Sequence, residues 1–319
     1  MLHVSFNAQV GVQIFFVLSG LLITQLTLAE HAFTGRVNLS RFYLRRVLRI
    51  FPVYYAAIAV SFTLVAAGIY GIHPLAFGAA ITYVVNFAPW DYMEATFSHF
   101  WSLAVEEHFY FFWPVAMVLA RGRVRAAGFF AAAGIALMIL WSAYPPPIVL
   151  ELARSHAVNR WTIPAALPIL VGCLTACLLW DRRLPPYLTQ AAGIAGVLVF
   201  LLPLASSANA LVPTELQPLP SSVAIAAIMI YIVGSPRSVL VRSLEIRPLA
   251  YLGTISYGIY VWQGIFTGNG PYRQVSGWPP EPIVGAALAI SVAALSYRFL
   301  EAPILRYKDQ LGRPARPEK

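Results

Sequence analysis

Stretches of apolar residues long enough to cross a lipid bilayer recur along this chain, and that repetition limits the fold more than any single motif does. They run over Val12–Ala29, Ile50–Tyr70, Phe100–Ala120, Ala126–Tyr144, Ile163–Trp180, Leu188–Leu204, Leu219–Gly234, Leu249–Phe266 and Pro282–Leu300. At 1.5 Å per residue, helices of roughly 16 to 21 residues reach across most or all of a hydrocarbon core about 30 Å thick. Composition points the same way: 59% of the 319 residues are apolar and 11% charged, whereas soluble domains run near half and about a quarter. No soluble domain fits between the runs.

A tenth stretch, Leu75–Pro89, is shorter, carries Asn86 and ends at a proline, so by itself it either crosses or dips in and returns. Charge separates the two. Lys and Arg accumulate in short cytoplasmic loops, and here they cluster at Arg36–Arg49, Arg121–Arg125, Arg182–Arg183, Arg237–Arg247 and Arg306–Lys319. If Leu75–Pro89 is re-entrant, all of these clusters fall on one side of the membrane by alternation. If it crosses, the first lies opposite the rest. The expected fold is therefore an all-α, polytopic transmembrane helix bundle with about nine crossings and one re-entrant segment. Residues 1–311 form a single membrane domain, and 312–319 a short cytoplasmic tail of polar, Pro- and Arg-containing sequence.

The net charge of +9 sits in the gaps between apolar runs and not on one polar face, which reads as topogenic charge and not as a nucleic-acid surface. Cys173 and Cys177, the only cysteines, share a helix face at i and i+4 inside an apolar run. A pair is a poor metal site, and packing is the expected role, with no metal. The same parity puts Met1 outside, yet no apolar run precedes Val12, and Met1–Asn7 has neither the charged start nor the cleavage site of a signal peptide. A preceding helix is expected to be missing. No internal repeat is visible.

Three places carry chemistry. Phe42–Pro52 opens the second span with Arg45 and Arg49 at i and i+4, and Arg46 and Arg49 at i and i+3, so guanidinium groups converge at one helix end. That cluster suits a polyphosphate, because Arg offers bidentate donors and keeps its charge; it equally suits a positive-inside anchor. His99–Tyr110 sits at the outer end of the third span, and on a helix His99, Ser102, Glu106 and Tyr110 share one face, with Glu107 about 100° away. A carboxylate at membrane depth needs a partner or a task, whereas one in the headgroup region can merely form salt bridges. His3, just upstream of Gly11–Thr24, is either a solvated terminus or a general base, for which imidazole is well matched near neutral pH.

Several strings now resemble a known family. Gly-Val-x-x-Phe-Phe-Val-Leu-Ser-Gly-x-Leu-Ile-Thr at Gly11–Thr24, Phe-Tyr-x-Arg-Arg-x-x-Arg-Ile-x-Pro at Phe42–Pro52, Trp-Ser-Leu-x-Val-Glu-Glu-x-Phe-Tyr at Trp101–Tyr110, Ser-Tyr-x-x-Tyr-x-Trp at Ser256–Trp262, and Tyr-Arg-Phe-x-Glu-x-Pro at Tyr297–Pro303 are similar to the membrane acyltransferase-3 family, in order and over nearly the whole chain. The resemblance implies a bundle of about ten helices in the bacterial inner membrane, and the charge parity above puts the C-terminus in the cytoplasm. It would move an acyl group, commonly acetyl from acetyl-coenzyme A, from the cytoplasmic side to a hydroxyl of an extracytoplasmic acceptor, often a glycan. His3 matches the family's essential histidine by its place before the first string, although the gap is short. The family's arginine about eleven residues earlier would precede Met1. Gln263 stands where the family commonly has histidine; glutamine keeps a donor and an acceptor but does not titrate near neutrality.

The expected mechanism is direct transfer. His3 takes the proton of an acceptor hydroxyl, Glu106 orients the imidazole or the acceptor, Ser102 assists, and Arg45, Arg46 and Arg49 hold the phosphates of acyl-coenzyme A. An acyl-enzyme on Ser19 or Ser102 is an alternative, though neither serine lies in a nucleophile motif. The rivals from other classes are a transporter or flippase, against which the lack of paired repeats speaks, and a catalytically inactive, truncated relative. The expected partners are the bilayer, acyl-coenzyme A and a hydroxyl-bearing acceptor, with no nucleic acid.

Overall fold

A computed structural model of the chain describes residues 8–69, 71–92, 96–180, 184–205, 218–267 and 282–306. Among these it is all-helical, with no strand. The main helices are α1 (Ala8–Thr34), α2 (Leu39–Ala66), α3 (Pro74–Ile81), α4 (Phe100–Leu119), α5 (Val124–Ala143), α6 (Leu167–Leu179), α7 (Pro186–Ala205), α8 (Pro218–Gly234), α9 (Arg247–Thr267) and α10 (Pro282–Ser296). Each apolar run overlaps one of these helices, without that establishing nine crossings, and Leu75–Pro89 holds α3.

Among the described residues four helical spans are both long and apolar enough to cross a membrane, Gln9–Thr34, Leu39–Ala66, Val124–Ala143 and Pro282–Arg306, and α6, α7 and α8 are shorter apolar helices. Large apolar side chains remain on the outside: Phe111 and Phe112 of α4 are 61% and 66% exposed. Contiguous apolar surface of this kind fits lipid and not water.

The helix boundaries follow local chemistry. α2 begins well before its apolar run because Asn38 caps it, with Oδ1 accepting the Arg41 N–H at 2.9 Å. The arginines are thus inside the helix and not in a loop. It ends where Gly68 turns into the left-handed region at φ +72°, a conformation glycine adopts without strain. Proline opens α3, α7, α8 and α10, where its missing N–H costs nothing. The stretch expected as one helix over Ile163–Trp180 is broken into a single turn, Thr162–Ala165, and α6. Pro168 at the start of α6 is the reason, since it cannot donate into a continuing ladder.

The chain divides into two compact units, Met1–Val37 with Ala104–Glu245, and Asn38–Leu103 with Ile246–Lys319. The first is centred on α1, α6, α5, α7 and α8. Its tightest seam joins α1 to α6. A methyl on Gly20 would fall on the Ile169 carbonyl, and one on Gly172 would fall on the Val17 carbonyl, so two backbones touch through reciprocal glycines, the usual way for helices to pack where water supplies no hydrophobic drive. Cys173 and Cys177 are free thiols buried in that packing, with Gly128 of α5 against Cys177.

The second unit packs α9 against α10 and α2. Two tyrosines of α2 close the C-terminal end of α3: Tyr54 donates to the Ala80 carbonyl at 2.7 Å and Tyr55 to the Ile81 carbonyl at 3.0 Å. Helix ends leave carbonyls without intrahelical partners, and in an apolar setting such groups must be met by side chains. Tyr54 also stacks on Tyr83 at 4.2 Å and lies against Phe100 at 4.6 Å.

Candidate active site

In the first unit one carboxylate gathers two hydroxyls. Ser19 of α1 and Tyr110 of α4 both donate to Oε1 of Glu106, and the Tyr110 hydroxyl also reaches Ser19 Oγ at 3.1 Å. Glu106 and Tyr110 are one turn apart on α4, so the helix itself aims both at the same point. Ser19 is delivered by α1, whose seat is set by the glycine seam one residue further on. One turn beyond, Trp113 Nε1 donates to the buried Thr24 Oγ1 at 2.9 Å. α1 and α4 are therefore joined by polar contacts two turns long, a costly choice in apolar surroundings unless every group is satisfied. Next to this cluster in sequence, His108 shares a 2.7 Å hydrogen bond with Thr162.

In the second unit Ser102 makes a different set of contacts. Its Oγ lies 2.6 Å from the Tyr260 hydroxyl, and Tyr260 donates to the His99 carbonyl at 2.8 Å. The Ser102 hydroxyl also reaches the His99 carbonyl at 3.3 Å, so both hydroxyls converge on that one acceptor. The His99 ring leans edge-on to Tyr260 at 5.3 Å and its Nε2 lies 3.3 Å from the Val261 carbonyl, which can only accept. That contact assigns the hydrogen to Nε2. Gly264 leaves the room the imidazole fills. Arg45, Arg46 and Arg49 all lie within α2, with the Arg46 guanidinium 5.6 Å from the centre of the Phe42 ring. Gln263 is half-buried on α9.

His3 lies outside the described residues. Of the other expected site residues, Glu106 is brought together with Ser19 and Tyr110, Ser102 with Tyr260 and His99, and the arginines share one helix. Tyr110 lies on the expected shared face, and Tyr260 is the participant that residue chemistry alone passed over. Tyr260 belongs to a string quoted above, where its place in Ser-Tyr-x-x-Tyr-x-Trp was the available signal. Among the described residues no group of three or more His, Cys, Asp or Glu is placed to hold a metal ion.

Comparison with known proteins agrees with these strings. A family model described as an acyltransferase domain matches residues 1–298. The chain is 29% identical to the peptidoglycan O-acetyltransferase OatA of Listeria monocytogenes over 92% of its own length and 51% of the relative's. It is 30% identical to the putative peptidoglycan O-acetyltransferase YrhL of Bacillus subtilis, over 95% and 52%. It is 27% identical to the O-acetyltransferase OatA of Staphylococcus aureus, over 92% and 52%. The chain spans about half the length of these curated relatives. No solved structure matches it. With the family model covering nearly all of its residues, the chain belongs to the acyltransferase-3 family.

Proposed function

We propose that this chain is a membrane O-acetyltransferase that takes an acetyl group from acetyl-coenzyme A on the cytoplasmic side and passes it to a hydroxyl of an extracytoplasmic glycan. Peptidoglycan is the acceptor named for two of its relatives. The observation that carries the reading is the Glu106 cluster: a carboxylate within a family string, with Ser19 and Tyr110 donating to one of its oxygens. Two donors on Oε1 hold the carboxyl while its other oxygen can accept from an imidazole or an acceptor hydroxyl, which is what orienting either requires.

In the reaction His3 removes the acceptor proton, and the acceptor oxygen bonds to the thioester carbonyl carbon. The carbon–sulfur bond breaks and the coenzyme leaves as a thiolate that takes up a proton. Glu106 holds the imidazolium or the acceptor, and Ser102 assists by fixing Tyr260. Arg45, Arg46 and Arg49 bind the donor's phosphates by charged, bidentate hydrogen bonds. The topology that serves this transfer is about nine crossings with α3 re-entrant. An eight-residue helix rises only about 12 Å, well under half of the hydrocarbon thickness. The arginine-rich segments and the C-terminus then lie on the cytoplasmic side of a bacterial inner-membrane protein.

The test supplies acetyl-labelled coenzyme A to membranes carrying the full chain together with a peptidoglycan acceptor. Label in ester linkage to the glycan, lost in Glu106→Gln, supports the reading. Label that accumulates inside vesicles without an acetylated product overturns it in favour of transport.

A further inference from the structure

In the first unit, where the start of α7 meets the end of α8, lies an open cavity of about 490 Å³. Its size is that of a small-ligand site, and no step of the transfer above uses it. Close backbone approach builds its floor. A Cβ at Gly193 of α7 would lie 2.7 Å from Cγ of Tyr231 of α8, and one at Gly234 of α8 would lie 2.6 Å from Cγ2 of Thr189. Two glycines thus let a tyrosine ring and a threonine methyl settle against bare helix backbone. Just beyond α8, Ser235–Pro236–Arg237–Ser238 is a tight turn closed by the Ser238 N–H on the Ser235 carbonyl at 3.0 Å, with proline at the second position, which its fixed φ suits. Ser238 then caps a short helix, Val239–Leu244, its Oγ accepting the Val241 N–H at 3.3 Å.

The lining is rich in hydrogen-bond donors. Gln190, Tyr231, Ser235, Arg237 and Ser238 supply an amide, a phenol, a guanidinium and two hydroxyls, and no carboxylate lines the cavity among the described residues. Such a set favours an anion, because the guanidinium keeps its charge and presents a planar fork matched to two phosphate oxygens, while the neutral donors add to it. A cationic ligand group would meet no opposite charge there. The remaining lining, which includes Val239 and Leu240, is apolar, and that surface continues outward. Val239 is 80% exposed, and Leu240, Leu244 and Ile246 are exposed as well, interleaved with Arg242 and Arg247. Large uncovered apolar side chains beside basic ones, at the end of apolar helices, mark the boundary between hydrocarbon and headgroups. A soluble phosphate would use the donors and leave the apolar rim bare, whereas a phospholipid uses both.

We propose that this cavity is a binding site for an anionic phospholipid. Arg237 pairs with the headgroup phosphate, the neutral donors of Tyr231, Ser235 and Gln190 meet its remaining oxygens, and the acyl chains run along Val239, Leu240 and their exposed apolar neighbours. A glycerol headgroup suits the lining, since its hydroxyls pair with neutral donors and acceptors, whereas the fixed cation of a choline headgroup meets no carboxylate. Anionic lipid is drawn to any basic segment by charge alone; what makes this one a site is the tight turn that holds Arg237 and the glycine-seated Tyr231 beside it.

The test follows thermal unfolding of the purified full chain in dodecyl maltoside while dioleoylphosphatidylglycerol, dioleoylphosphatidylcholine, glycerol 3-phosphate or inorganic phosphate is titrated in, since a ligand that binds the folded state raises the melting temperature. Phosphatidylglycerol is expected to give a saturable rise, phosphatidylcholine one with a midpoint about tenfold higher, and the two soluble phosphates none at the same concentrations. Arg237→Gln should move the phosphatidylglycerol midpoint about tenfold or more, the loss of a charged hydrogen-bonding partner, and Tyr231→Phe, which keeps the ring on Gly193, about threefold. Arg125→Gln, which removes an exposed charge of another basic cluster, should leave it unchanged. Equal responses to the two lipids, or equal losses in Arg237→Gln and Arg125→Gln, reduce the effect to general surface charge and overturn the site. A rise given by glycerol 3-phosphate or inorganic phosphate alone overturns a lipid as its ligand. Arg237 is exposed in a turn, so its replacement leaves the packing intact, and native mass spectrometry of the same variants counts retained phosphatidylglycerol directly: retention in Arg237→Gln equal to wild type also overturns the proposal.

Discussion

Replacing Glu106 by glutamine separates the charge of this carboxylate from its shape. The amide oxygen can still accept from Ser19 and Tyr110, so the packing around α1 and α4 survives. What changes is the strength of the two bonds. A hydrogen bond to a charged group is worth about 1.5–3 kcal/mol and a neutral one about 0.5–1.5 kcal/mol, so each weakens by about 1 kcal/mol and the pair by about 2 kcal/mol. Two kcal/mol of lost positioning corresponds to roughly thirtyfold in rate if it is felt only in the transition state. Glu107 is the internal control, since it is chemically identical and adjacent but points about 100° away on the helix. Transfer of labelled acetyl to peptidoglycan, normalised to protein in the membrane, is expected to fall about thirtyfold or more in Glu106→Gln and only a few-fold in Glu107→Gln. Tyr110→Phe, which removes one of the two donors to Oε1, should fall between them. Equal losses for the two glutamates, or the reverse order, would mean that the Ser19–Glu106–Tyr110 cluster has no part in the chemistry.

Three further outcomes are expected. Gly20→Ala and Gly172→Ala place a methyl on a facing backbone carbonyl and should each destabilise the detergent-solubilised protein by about 1–3 kcal/mol, whereas Gly253→Ala, with nothing within 4 Å of the new carbon, should be neutral or stabilising by about 0.5–1 kcal/mol; a melting-temperature series that ranks them otherwise removes the seam. Arg46→Ala should raise the donor KM far more than the acceptor KM, by about 1.5–3 kcal/mol in donor binding, and unchanged donor kinetics would leave Arg46 a topogenic charge only. An impermeant thiol reagent applied from outside should label Asp91→Cys but not Arg123→Cys; the native cysteines are buried and should stay silent, and the opposite pattern would invert the proposed topology.

The places of the main helices among the described residues were legible because an apolar run is the sequence form of a helix in lipid, whatever its neighbours; the short helices between them, such as Thr162–Ala165, were not. Their ends were less so. α1 continues through Gln25, Glu30 and His31 to Thr34, because polar residues at a membrane surface remain good helix formers although they end a hydropathy pattern. α2 starts eleven residues before its apolar run opens at Ile50, because an Asn38 side chain caps it, and capping is invisible to apolar counting. At the candidate site, the shared face of Glu106 and Tyr110 follows from helix period alone and is seen as a hydrogen bond. The pairing of either with Ser19, or of Ser102 with Tyr260, depends on which helices lie side by side, and no spacing within one segment contains that information. Glu301 was visible only as a letter in a string; its burial arises from the π-helical turn Tyr297–Glu301 that continues α10 and from the missing side chain at Gly258.

The reciprocal glycines of α1 and α6 also bear on how the protein can move. Each helix sets a bare Cα against the other's carbonyl, and a carbon added at either glycine would fall on a peptide oxygen, so the two backbones are in contact at two points along one seam. Steric exclusion of that kind is steep, unlike the soft cost of rearranging lipid-facing side chains. α1 therefore cannot work as a piston against α6. Ser19, one residue before Gly20, therefore keeps its height relative to α6, and that is the height at which its hydroxyl meets Glu106.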